Sequence, residues 1–195
     1  MQIIKVDQRS EEWFDLRAKK MTASHAQAIS ANGKGLQTYI REMMAEFYSS
    51  EEPKRFSNSY TDWGTEQEPI ARMIYEFETG RKVEEIGFVI HNDYVGCSPD
   101  GFVDEDGMIE IKCLSDKVYL NLLLDEKIES KYLWQMQMQM LVSERNWNDF
   151  FVYNPHFKQS YFLRRVEKDQ AMFDKLNKGF ESGEAMIKEI MEKMK

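Results

Sequence analysis

Cysteine is nearly absent from this chain of 195 residues, which holds only Cys97 and Cys113. The two do not form a C-x-x-C pair, so neither a disulfide framework nor a thiolate zinc site is expected. Both read as small buried side chains in a reducing compartment. Histidine is also scarce: His25, His91 and His156 lie far apart and make no zinc spacing. No run approaches the ~18 apolar residues that a membrane span needs. Residues 1–10 carry Lys5, Asp7 and Arg9 and no apolar segment. A signal peptide is therefore not expected, and an intracellular location follows by default. No Pro/Gly/Ser-rich linker, repeat or low-complexity tract interrupts the chain, so one domain over 1–195 is the expectation.

Positive charge is not in excess either. The formal net charge is −8, which argues against a general nucleic-acid binder. Its distribution softens that exclusion. Residues 1–50 hold seven Lys/Arg against six Asp/Glu, residues 51–150 ten against twenty-one, and residues 151–195 nine against seven. The acidity lies in the middle of the chain. Contact with DNA would have to come from local basic groups and not from the net field.

The apolar pattern predicts helices first. Ser10 caps a short helix to Lys20, and Thr22 caps a second through Ile29. Asn32, Gly33 and Gly35 read as a loop. Leu36 to Tyr48 is a helix, and residues 49–60 are a polar surface loop. A longer helix is expected from about Thr65 to Thr79, with Pro69 near its first turn and Ile70, Met73, Ile74 and Phe77 as its buried stripe. The middle reads as strands at Val83 to Ile90, Tyr94 to Ser98 and Met108 to Leu114, with a hairpin turn at 104–107. Asp116 to Leu124 is helical. The run Q-M-Q-M-Q-M at 135–140 alternates with period two, but Met and Gln favour helices and lack β-branching, so Tyr132 to Ser143 is read as a helix. Strands at Trp147 to Asn154 and Ser160 to Glu167 precede an amphipathic helix from Asp169 to the end. This order gives an α/β domain with a central mixed sheet flanked by helices, not a doubly wound one.

The residues that carry chemistry are few. Pro99 and Gly101 fix a turn around Asp100. Glu110 and Lys112 stand two apart on a strand, so both side chains leave one face. Taken singly, E-x-K is an ordinary ion pair on a sheet and P-D-G an ordinary turn. Together they can place two carboxylates and a lysine in one small space. That set suits a hard divalent cation such as Mg²⁺, which takes carboxylate oxygens and bridges to phosphate. Lys112 would then stabilise the attacking hydroxide or the developing phosphorane charge. Burial and the metal could also lower its pKa enough for proton transfer.

Seven segments in order settle the choice: W-F-D-L-R (13–17), M-T-A-S (21–24), W-G-T-E-Q-E-P-I-A-R (63–72), C-S-P-D-G (97–101), I-E-I-K-C (109–113), K-Y-L-W-Q-M-Q-M-Q-M (131–140) and W-N-D-F-F-V-Y-N-P (147–155). Over nearly its whole length the chain thus resembles the lambda-exonuclease, or YqaJ-like, family of viral recombination nucleases, within the PD-(D/E)xK superfamily. The resemblance implies that Asp100 and Glu110 bind the metal, with the main-chain carbonyl of Ile111 as a third ligand, and that Lys112 is the catalytic lysine. It makes Glu68, rather than nearby Glu66, a helix-borne acid reaching the metal through water or a second ion. Gln135 would lie near the scissile phosphate. Gln139 is one turn further on the same face, and Gln137 points elsewhere. Arg17, Ser24 and Ser98 match a pocket for a 5′-terminal phosphate. Leu114 stands where the family often has proline, which removes no catalytic group.

By this resemblance the chain is expected to be a Mg²⁺-dependent 5′-to-3′ exonuclease on linear double-stranded DNA, with one or two ions and Mn²⁺ as substitute. It would release 5′-mononucleotides and leave 3′ overhangs. A homotrimer, a single-strand annealing partner and a phage or prophage source are implied likewise. Two rivals stay open: a structure-specific or single-strand nuclease with the same centre, and a silent DNA-end-binding recombination adaptor.

Overall fold

Residues 107–113 read Gly-Met-Ile-Glu-Ile-Lys-Cys, and their alternation sorts the molecule into layers. They form strand β6 (Gly107–Cys113) in a computed structural model that describes residues 1–50 and 59–195. Ile109 and Ile111 pack with Ala71, Tyr75, Phe151 and Tyr153 on the side covered by α4 (Ser59–Thr79). On the opposite side, α5 (Asp116–Asp125) and α6 (Ser130–Ser143) cover Phe150 and Val152 of β7 (Trp147–Tyr153) through Tyr119, Leu122 and Met136. Glu110 and Lys112 project on this α6 side.

Around β6 runs a five-stranded mixed sheet. It comprises β2 (Val83–Glu84), β5 (Gly101–Val103), β6, β7 and β8 (Tyr161–Glu167), in the order β2-β5-β6-β7-β8. The β6–β7 pair is parallel, with Glu110 opposite Phe150, and its crossover is made by α5 and α6. The other pairs are antiparallel. A smaller antiparallel sheet holds β1 (Gln2–Ile4), β3 (Phe88–Asn92) and β4 (Val95–Cys97), in the order β1-β3-β4. A third apolar cluster joins it to α2 (Ala26–Ala31), α3 (Lys34–Tyr48), α6 and α7 (Gln170–Lys193) through residues such as Ile29, Ile40, Val89, Met138 and Phe180. The helix α1 (Glu11–Arg17) lies outside these clusters with no buried residue.

Most expected elements are present, and several details differ. The stretch expected as one strand, Val83 to Ile90, is two strands in different sheets, broken around Gly87, where an added Cβ would stand 2.1 Å from the Val6 carbonyl oxygen. β1 has no counterpart in the sequence reading. The α4 helix begins at Ser59, so Pro69 lies inside it and not in its first turn. Among its described residues Ala71 and Tyr75 are buried and Ile74 packs beside them, while Ile70, Met73 and Phe77 are exposed. Tyr75 takes the inward face because its hydroxyl donates to buried Asp149 at 2.8 Å. Gly35 is helical, and Asn32 closes α2 in the left-handed region. Of the expected loop 49–60, residues 51–58 lie outside the described residues.

Candidate active site

The β-hairpin β5–β6 brings Asp100 to Glu110. Asp100 immediately precedes β5, and its Oδ2 accepts from the backbone N–H of Ile111 at 2.6 Å. That bond fixes the aspartate beside the strand that carries Glu110 and Lys112. The Lys112 ammonium donates to Glu110 Oε1 in a short ion pair. Glu110 is fully buried. Gln135 Nε2 donates to its Oε1 at 2.6 Å and Gln139 Nε2 to its Oε2 at 2.7 Å. One helical face of α6 therefore grips both carboxylate oxygens. Gln137 faces away: it donates to the Glu167 carbonyl at 2.8 Å and accepts from the Asp169 N–H at 2.9 Å. The period-two glutamine run thus serves two places, as a helix allows and a strand would not.

Electrostatics follow from this crowding. Burial, then the charge of Glu110, pushes the Asp100 carboxyl well above the usual range, and Glu68 adds to the effect. Burial alone would lower Lys112, as the sequence suggested. The charges of Glu110 and Asp100 and the hydrogen bond to Glu110 outweigh it, so the metal-free lysine is held above its ordinary value. Burial pushes Cys113, at the end of β6, up to about 12.

A hard divalent cation fits this donor set. The buried carboxylate of Glu110 and the partly buried one of Asp100 share one ammonium, that of Lys112. Asp100, Glu110 and the Ile111 carbonyl could hold such an ion. Among the described residues no three His, Cys, Asp or Glu side chains form a ready metal cluster. Mg²⁺ is commonly held by only one or two carboxylates and keeps several waters. Glu68 sits with Asp100 in the wall of a cleft of about 1150 Å³. Its carboxylate lies 3.4 Å from Arg72 and 3.9 Å from Arg9. Glu66 does not line that cleft.

A second group of residues adjoins Asp100 through the 97–101 turn. Arg17 Nη1 donates to Ser98 Oγ at 3.2 Å, and Nη2 lies 3.5 Å from Thr22 Oγ1. Thr22 Oγ1 in turn is 3.3 Å from Ser24 Oγ. The three residues singled out from the sequence thus meet, with Thr22 as the link. Thr22 stands at the expected cap position of a short 3₁₀ turn, Ala23–His25, but its side chain makes no capping bond there. Arg17 has no carboxylate partner among the described residues, and burial lowers its pKa. A partly buried guanidinium whose partners here are neutral hydroxyls can take an anion through charge-assisted bonds. Trp13 shapes it: its ring lies 4.2 Å from the Arg17 guanidinium and its indole N–H donates to Ser98 at 2.9 Å. The sequence reading passed over Trp13 and Thr22 as site residues, although Trp13 stands one helical turn before Arg17. Asn148, which donates to Gln139 Oε1 at 3.0 Å from β7, gave no signal in sequence.

With this geometry in view, comparison with known proteins is informative. Residues 12–146 match the model of the YqaJ-like viral recombinase domain. The fold matches an alkaline exonuclease, LHK-Exo, from Laribacter hongkongensis with a TM-score of 0.87 and 32% identity over 95% of this chain and 96% of that one. That protein has also been solved in complex with dAMP, with the same agreement. A phage-related exonuclease from Haemophilus somnus 129PT shares the fold, with a TM-score of 0.67 and 16% identity over 93% of this chain and 99% of that one. No curated protein sequence matches.

Proposed function

Because the chain belongs to the YqaJ-like viral recombinase family, we propose that it is a Mg²⁺-dependent exonuclease that degrades one strand of linear duplex DNA from its 5′ end. It releases 5′-mononucleotides and leaves 3′ overhangs suited to single-strand annealing. The observation that carries the reading is the convergence of Asp100, Glu110 and Lys112, joined by the short 97–101 turn to Arg17, which has no carboxylate partner among the described residues. The neighbour named as an exonuclease covers the same length of chain, which supports the reaction class.

When bound at Asp100, Glu110 and the Ile111 carbonyl, one or two Mg²⁺ (or Mn²⁺) would supply an activated water and neutralise charge on the leaving 3′-oxygen. Lys112 holds a positive charge where the phosphorane oxygens become more negative. Gln135 keeps Glu110 oriented and lies beside the position of the scissile phosphate. Glu68, in the wall of the same cleft as Asp100, would act on the centre through water or a second ion. Arg17, Ser24 and Ser98 hold the terminal phosphate. Ser98 lies two residues before Asp100, so captured phosphate and metal centre keep a fixed separation. By family, the working form is a homotrimer around DNA, encoded by a phage or prophage, acting in the cytoplasm with a single-strand annealing protein.

The test is digestion of 5′-labelled linear duplex and of circular duplex, with Mg²⁺ and with EDTA. Labelled mononucleotide from the linear substrate alone, and only with Mg²⁺, is expected. Cleavage of the circle would point to a structure-specific nuclease, and binding of ends without cleavage to an adaptor.

A further inference from the structure

The Gln139 side chain is fully buried and does no chemistry in the mechanism above, yet it is the sole protein donor to Glu110 Oε2 among the described residues. The two oxygens of Glu110 are thereby unlike. Oε1 receives Lys112 and Gln135, both partly exposed groups that can exchange their partner for water or phosphate. Oε2 is gripped from inside the molecule. The grip has a direction. Gln139 Oε1 accepts from Asn148 Nδ2 at 3.0 Å. Turning the Gln139 amide over would set oxygen against Glu110 and nitrogen against the Asn148 amide, losing both bonds at once. Glu110 accepts only, so the Gln139 N–H must face it, and Asn148 holds the other end of that amide in place, so that Gln139 in turn holds Glu110 Oε2.

Asn148 shows a second sign of this role. It is fully buried on β7, paired with Met108 of β6 and Val166 of β8, where an apolar side chain would be ordinary. Its Oδ1 is buried and has no hydrogen-bond partner among the described residues. A buried amide oxygen left unpaired is unfavourable for folding. Asn148 is thus poorly accounted for by stability, and its one satisfied group is the N–H aimed at Gln139.

We propose that Gln139 and Asn148 form a buried positioning relay that fixes the rotation of the Glu110 carboxylate, so that Oε1 is the oxygen presented to a divalent cation. Both act through Glu110 and touch neither ion nor substrate. The inference rests on the metal-dependent reading above. Outer partners of metal-bound carboxylates typically change affinity or activity by about 10–100-fold when removed.

The experiment is calorimetric titration of Mn²⁺ into the DNA-free protein, with thermal melting in EDTA and duplex degradation against Mg²⁺ concentration. Gln139→Leu should bind Mn²⁺ about tenfold more weakly, and half-saturating Mg²⁺ in degradation should rise in parallel. Asn148→Val should weaken Mn²⁺ binding in the same direction without lowering the melting temperature. Mn²⁺ affinity equal to wild type in both variants would overturn the relay, whatever the melting temperatures. Should Gln139→Leu not fold, Asn148→Val decides alone by the same measurement. A wild-type protein that neither binds Mn²⁺ nor degrades DNA is a separate result: it overturns the proposed function and removes the relay with it.

Discussion

Arg17 donates to the hydroxyl of Ser98 at 3.2 Å across 81 positions of chain. With the Trp13 indole N–H, which donates to the same hydroxyl, the bond joins α1 to the turn that carries Asp100. A terminal phosphate carries more charge than an internal diester, and Arg17 offers a fixed charge with parallel donors. Duplex with a 5′-phosphate should therefore be degraded much faster than duplex with a 5′-hydroxyl. Arg17→Ala should lose most of that preference and keep slow cleavage. Single-turnover rates for both enzymes on both ends check this. Equal preference in the two enzymes would remove Arg17 from the pocket.

Asp100 should be required for cleavage and unfavourable for stability. Its folded pKa is raised by burial and by Glu110. A carboxyl whose folded pKa exceeds its unfolded value of about 3.9 keeps a proton that the unfolded chain has lost. The metal-free fold therefore weakens as pH rises through that interval. Asp100→Asn should abolish cleavage at saturating Mg²⁺ yet melt higher than wild type in EDTA at neutral pH. Glu110→Ala should also abolish cleavage. Normal turnover by either variant contradicts the metal assignment.

Lys112 is held in its charged form by the carboxylates beside it. Lys112→Ala should still bind Mn²⁺ and DNA but lose about 10²–10³ in kcat, the scale for removing one group that stabilises transition-state charge. Lys112→Arg should not restore it, because a planar fork does not replace a compact ammonium. Wild-type kcat in the alanine variant would make the lysine structural.

A second buried carboxylate behaves differently. Asp149 receives Arg165 through two bonds, at 2.8 and 2.9 Å, and the Tyr75 hydroxyl at 2.8 Å. These partners tie β7 to β8 and α4. Asp149→Ala leaves a partly buried guanidinium unpaired and should cost about 3–5 kcal/mol by chemical denaturation. The molecules that remain folded should keep wild-type kcat; a specific loss of kcat would move Asp149 into the site.

The strand that carries Glu110 and Lys112 was legible because its signals are local. Glu110 and Lys112 follow from strand period, and Gln135 with Gln139 from helix period. The burial of α4 was not legible. Ile70, Met73 and Phe77 form the more apolar face, yet Ala71 and Tyr75 turn inward, because Tyr75 answers a carboxylate on a strand far along the chain. Periodicity finds an apolar stripe but does not say which side meets the sheet. Asn148 stayed hidden for the same reason: the hydrogen-bond partner of its side chain among the described residues is on a helix, and nothing in its own strand marks it.

The two halves of the site differ in how deeply they are built in. Glu110 and Lys112 sit on β6, hydrogen-bonded on one side to β5 and on the other to β7. Arg17 sits on α1, seven residues long with none buried. Backbone amides of β6 should exchange with deuterium only on global opening, and those of α1 through local fraying. Under mild heat or denaturant the protein should therefore lose its sense of where a strand begins before it loses the power to cut. On the proposed function, a partly opened molecule would then cut with less regard for the 5′ end than the intact fold.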